Sequence, residues 1–79
     1  MDSKQIEEEL GRRLREHRKR LGLSQNYLAD LLNRDQTAIS KMEQGRRIVS
    51  VSEFLLWCKA LNLSAEAVWE LIQIGPYEP

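Results

Sequence analysis

The chain has little of what staples or punctuates a small protein. One cysteine, Cys58, stands among 79 residues, so no internal disulfide can form, which suits a reducing compartment. Two prolines and four glycines are too few to break the chain into short strands and tight turns, and this argues against an all-β architecture. No apolar run is long enough to cross a bilayer. The first nine residues carry four acids and do not read as a secretory signal. The expected location is cytoplasmic, with no membrane partner. Net charge is absent as well, since twelve Lys and Arg balance twelve Asp and Glu. Bulk electrostatics therefore gives no argument for a polyanionic partner.

The charge that is present is distributed unevenly. Residues 1–33 hold seven cations against six acids, residues 34–47 four against two, and residues 48–79 one against four. A face for a polyanion belongs in the first two thirds, with the acidic end turned away; mixed solvated surface charge is the plain alternative. The chain has no repeat, low-complexity tract or linker, so a single domain over 1–79 is expected, with a core over about 4–74 and a loose tail at 75–79. A core of this size is marginal: the fold must be helical and economical, or it must lean on a partner chain.

Apolar periodicity is helical almost throughout. Leu10, Leu14, His17 and Leu21 recur at steps of four, three and four, giving one face of a helix over 4–21 that Gly22 closes. Ser24 is a good N-cap for a second helix with Leu28, Leu31 and Leu32 inward. Asn33, which tolerates positive φ, ends it. Asp35 caps a third helix over 36–44, with Ile39 and Met42 inward and Gly45 at its end. Ser50 and Glu53 read as a capping box opening a fourth helix, with Phe54, Leu55, Cys58 and Leu61 on one side. Ser64 caps a fifth over 65–73, with Val68, Leu71 and Ile72 inward. The fold class is all-α, a compact five-helix domain.

The second and third helices, two short capped segments with a three-residue turn, form the unit that carries chemistry, residues 24–43. Ala29 is the small residue a steep helix crossing needs. Ile39 and Met42 anchor the third helix, which leaves Gln36, Thr37, Ser40, Lys41 and Gln44 on its outer face. Taken alone, such a face is solvated helix surface. Placed on a helix that projects from a helical pair, it is a row of hydrogen-bonding groups suited to base edges in a major groove.

The segments Leu23-Ser24-Gln25-Asn26-Tyr27-Leu28-Ala29 and Thr37-Ala38-Ile39-Ser40-Lys41-Met42-Glu43-Gln44-Gly45 closely resemble the lambda-repressor-like (Cro/Xre) helix-turn-helix family, and the resemblance extends over about 10–72. It implies double-stranded DNA as partner. It implies base contacts from Gln36, Thr37, Ser40 and Lys41, and backbone contacts from Gln25, Gln44, Arg46 and Arg47. It implies an internal salt bridge between Arg18 and Glu43, so Arg18 is not counted as a DNA contact. Three positions depart from the family pattern. Asn33 stands where glycine is usual, Arg34 where an apolar residue is usual, and His17 likewise; Arg34 is expected to turn outward to a phosphate.

Other residues have plainer readings. His17 is a partly buried histidine rather than a metal ligand, because no second ligand is near. Cys58 is a small core residue, with a redox switch as the alternative. Arg12 and Arg13 are surface charge or flanking phosphate contacts. Trp57 and Trp69 either seal the core or, for Trp69 with Val68, Ile72 and Ile74, form a dimer interface. No nucleophile–base pair, metal-ligand cluster or phosphate loop points to an enzyme, a metal or a cofactor. The expected function is a homodimeric repressor on a palindromic operator. The alternative is a protein-interaction module, such as an antitoxin whose main partner is a toxin or another regulator.

Overall fold

Helices begin where the sequence supplies a short polar side chain, and four of the five described helices end where a residue accepts positive φ. The computed structural model describes residues 1–75 and contains α1 (Ser3–Arg20), α2 (Gln25–Leu32), α3 (Gln36–Glu43), α4 (Val51–Ala60) and α5 (Ala65–Ile72). Ser24, Ser50 and Ser64 each accept a hydrogen bond from the backbone N–H three residues on, at 3.0, 3.1 and 3.1 Å. This satisfies a donor that the helix leaves free. Gly22, Asn33, Gly45 and Asn62 all have φ between 51° and 72°. At each, the following residue (Leu23, Arg34, Arg46 and Leu63) donates its N–H back to a carbonyl five residues earlier. Four helix ends are thus closed by one device, the left-handed residue with a six-to-one bond.

α1 lies across α3, α2 packs against both α3 and α4, and α5 returns to α1. The core between them is built from Leu14, Leu28, Ile39, Met42, Trp57, Leu61 and Leu71, all essentially without solvent contact. Ala29 is buried where α2 meets its neighbours. Gly11, in the middle of α1, marks the closest crossing. A Cβ there would sit 2.2 Å from the carbonyl oxygen of Met42 and 2.8 Å from that of Glu43. The chain therefore accepts the helix-propensity cost of a mid-helix glycine, about 1 kcal/mol, to let α1 ride on the end of α3.

Several sequence expectations are corrected. Leu31 and Leu55 are about half exposed, not inward. On a helix advancing 100° per residue, the inner arc of α2 is set by Leu28, Ala29 and Leu32, which leaves Leu31 off its edge. In α4 the arc is set by Phe54, Trp57 and Cys58, so Trp57 takes the place expected for Leu55 and becomes the largest fully buried side chain. Ile72 is likewise 49% exposed, with Leu71 alone buried in α5. Asp35 occupies the N-cap of α3 but makes no side-chain cap bond. Ser50 and Glu53 make only half of a capping box: the Glu53 carboxylate turns to Arg34 and Arg47, at 3.5 and 3.4 Å. The complete box is at Asp2 and Gln5. Of the expected tail, residues 76–79 lie outside the described residues.

One arginine of α1, Arg13, fastens α5 to α1, and its neighbour Arg12 is paired along α1 itself. Arg12 pairs with Glu9 and Glu16. Arg13 is held by Glu9 at 2.9 Å and donates to the carbonyls of Glu70 and Gln73, at 3.1 and 2.8 Å. It thereby caps the C-terminal end of α5, where partial negative charge favours a cation. Hydrogen bonds from Arg12 and then Arg13 hold the Glu9 carboxyl down at about 2. Both arginines are thus paired within the fold. His17 is half-buried beside them, and burial, then the charge of Arg20, lowers its pKa below the usual histidine range. Burial pushes the Cys58 thiol up, which disfavours the thiolate that redox chemistry needs. No group of ligand-type side chains among the described residues is arranged to hold a metal. No described helix is long and apolar enough to cross a membrane.

Candidate nucleic-acid interface

α3 is fixed from behind by three residues that the sequence places at helical spacing. Ile39 and Met42 enter the core, and Ala38 is buried against it. Gln36, Thr37, Lys41 and Gln44 are exposed, and Ser40 is half-buried. The turn that sets the angle of α3 is held by Asn33 at φ 54° and ψ 49°, with the N–H of Arg34 bonded to the Ala29 carbonyl at 2.9 Å. Asparagine thus does here the conformational work for which glycine is the usual choice.

Behind the helix lies a buried ion pair. Arg18 donates from Nε to Glu43 Oε2 at 2.6 Å and from Nη2 to Oε1 at 3.0 Å. Both side chains are almost wholly buried, and Arg18 also donates to the Leu23 carbonyl at 2.6 Å. One guanidinium therefore joins α1, the turn before α2 and the end of α3. The pair is bidentate and carries an added backbone bond, the conditions under which a buried charge pair is tolerated.

The network continues outward. Gln25 donates from Nε2 to Glu43 Oε1 at 2.9 Å. Its Oε1 accepts from Gln36 Nε2 at 2.5 Å. The first residues of α2 and α3 are therefore bonded to one another, and the chain Arg18–Glu43–Gln25–Gln36 runs from the core to the outer face. Fixing Gln25 through its amide nitrogen settles which atom meets Gln36, and it orders a side chain that is free in an isolated helix. Gln44 donates to Ser40 Oγ at 3.2 Å one turn away.

The cations divide into two sets. Lys41 and Arg46 are exposed and have no side-chain partner among the described residues. Arg47 pairs with Glu53 at 3.4 Å. Arg34, expected to face outward, lies along the fold, with Nε 3.5 Å from Glu53 and its guanidinium bonded to the Leu32 and Asn33 carbonyls at 3.4 and 3.3 Å. It lines one small depression with Leu32, Met42, Glu53, Leu56 and Trp57. It remains partly exposed, but it turns toward Glu53, whose Oε2 it shares with Arg47, rather than toward the outer face of α3. The structure brings together Gln25, Gln36, Ser40 and Gln44 and keeps Arg34 apart.

Sequence reasoning missed three positions that shape this face. Gly11 gives α3 its seat, and its only sequence signal is a glycine inside an otherwise uninterrupted helix. Arg13 carries α5, a long-range contact that periodicity cannot show. Arg15 stands beside Gln25, Ser40 and Gln44; its signal is that no acid lies three or four residues away on its own helix.

On the far side of the molecule, α5 presents Trp69 at 62% exposure and Ile72 at 49%, with Val68 and Ile74 partly covered. Next to them an open apolar groove of about 260 Å³ is lined by Ile6, Leu10, Val49, Val51, Phe54, Ile72 and Ile74.

Comparisons with known proteins agree with this geometry. No curated protein matches the chain. The restriction-modification controller protein C.AhdI from Aeromonas hydrophila superposes with a TM-score of 0.71 at 36% identity, over 77% of this chain and 92% of that one. The clp gene regulator ClgR from C. glutamicum superposes with a TM-score of 0.76 at 31% identity, over 84% and 87%. The five-helix arrangement is the lambda-repressor-like fold of such regulators. A family model described as a helix-turn-helix domain matches residues 9–71, from just before the crossing at Gly11 to the last buried residue of α5, and the chain belongs to that helix-turn-helix family.

Proposed function

We propose that this chain is a sequence-specific double-stranded DNA-binding transcriptional regulator, with Gln36, Thr37, Ser40 and Lys41 reading base edges and Gln25, Gln44, Arg46 and Arg47 positioning the protein on the sugar-phosphate backbone. The observation that carries the reading is the Gln25–Gln36 bond. It orders the amide at the first position of an exposed helix, so that the free face of Gln36 is preset to bond one base, while Gln25 stays on the border where a backbone passes. The similarity to two regulators of gene expression supports the same class. Arg34 is left out of the contact set because its guanidinium is turned back onto the Leu32 and Asn33 carbonyls as well as toward Glu53.

The regulator acts as a homodimeric repressor on a palindromic site. An 8-residue α5 with one buried side chain and an exposed Trp69 and Ile72 leaves apolar surface that a second copy would cover, and two-fold symmetry then sets half-sites about one helical turn apart. The test is selection of bound duplexes from a random pool. The expected outcome is enrichment of a two-fold symmetric sequence bound more weakly as salt rises. The same exposed α5 face favours a second reading, a module whose main partner is a protein such as a toxin. That reading predicts no enrichment and no salt-dependent DNA binding.

A further inference from the structure

We propose that the polar depression between α1 and α3 seats one DNA backbone phosphate, with Arg15 as its charged donor; this rests on the DNA-binding reading above and adds a contact that the family resemblance did not supply. The depression measures about 150 Å³ and is lined by Arg15, Gln25, Ser40, Glu43 and Gln44. Three of these residues border the outer face of α3, so a strand crossing that face passes over it.

Charge decides what the depression attracts. The buried Glu43 forms part of it, but both oxygens of its carboxylate are engaged by Arg18, and Oε1 also accepts from Gln25. Arg18 neutralises Glu43. Arg15, with Nε 4.0 Å from Glu43 Oε1, is then a second cation beside an anion that is already satisfied. Its own helix offers it nothing: the residues three and four away are Arg12, Arg18, Gly11 and Lys19. A half-exposed guanidinium held among like charges is relieved by an external anion, and its planar fork suits the two free oxygens of a phosphodiester. Gln44 and Ser40, now bonded to each other at 3.2 Å, supply uncharged donors beside it. Arg12 and Arg13 stand in contrast. Both already have close anionic or carbonyl partners in Glu9, Glu16 and the end of α5. The phosphate contact on α1 therefore falls at Arg15, one turn further along.

The experiment measures affinity for a selected duplex against salt for the wild-type chain, Arg15→Gln and Arg12→Gln, with thermal unfolding as the check on folding. Arg15→Gln should weaken binding to every duplex alike and reduce the magnitude of the log–log salt slope by about one. Arg12→Gln should leave the slope in place. A slope unchanged by Arg15→Gln, with wild-type binding intact, overturns the phosphate seat and leaves the DNA reading standing. An equal loss in both variants also overturns it, because the effect is then one of overall charge. Wild-type protein that shows no salt-dependent binding removes the DNA reading itself, and the seat with it.

Discussion

Gly11 and the pair Arg18–Glu43 determine at single residues how α3 is held. The substitution Gly11→Ala improves helix propensity by about 1 kcal/mol, yet the new methyl group would meet the Met42 carbonyl oxygen at 2.2 Å. The obstacle is backbone, which cannot swing aside as a side chain would. We expect Gly11→Ala to destabilise the protein by about 1–3 kcal/mol, the usual cost of overpacking, as read from a urea unfolding midpoint; a stabilised variant would show that α1 and α3 do not cross here. Residue identity was legible where chemistry is local. The outer face of α3, the positive-φ role of Asn33 and the matched charges at 18 and 43 all follow from spacing or from motif. Arg34 was not legible, because an arginine in an apolar position can either turn outward or lie down beside the core. Only the presence of Glu53 across the fold, from α4, decides between them.

At the scale of the helices, each cap is a local event, and the sequence announced most of them. The serines before α2, α4 and α5 and the left-handed residues after α1, α2, α3 and α4 lie within a few positions of the bonds they make. The inner arcs were less clear. In α2 and α4 leucines occur on more than one side, so hydrophobicity alone does not select the face; the spacing points Leu31 and Leu55 inward, and both are half exposed. Which arc is buried depends on the neighbouring helices, a tertiary fact. The fastening of α5 to α1 is of the same kind and has a pH signature. Glu9 titrates at about 2 in the folded chain, below its ordinary value of 4.5. A depressed carboxylate contributes stability that is fully present above its unfolded pKa and is lost as pH falls through the folded one. Melting temperatures of wild type and Glu9→Gln should therefore differ most above about pH 5 and converge as pH approaches 2. A difference that persists unchanged into acid would mean that Glu9 does not hold Arg13 through its charge.

At the scale of the whole molecule, the two ends of the fold differ in character. The α3 side is polar, ordered by a hydrogen-bonded chain that starts in the core, and bordered by Lys41 and Arg46, which have no side-chain partner among the described residues. The α5 side is apolar and open, with Trp69, Ile72 and the adjoining groove. A chain of 79 residues has a limited interior, and surplus apolar surface is what a second subunit covers. Ile72→Glu should shift sedimentation from dimer to monomer while leaving the helical content of the monomer in place; a wild-type chain that sediments as a monomer at all concentrations would contradict the assignment. The central claim concerns the other end, and it is tested most directly by Gln36→Ala assayed on a selected duplex and on its single-base-pair variants. The account predicts a loss of about 1–3 kcal/mol in binding and a relaxed preference at one base pair only. Unchanged affinity together with unchanged preference at every position would contradict it.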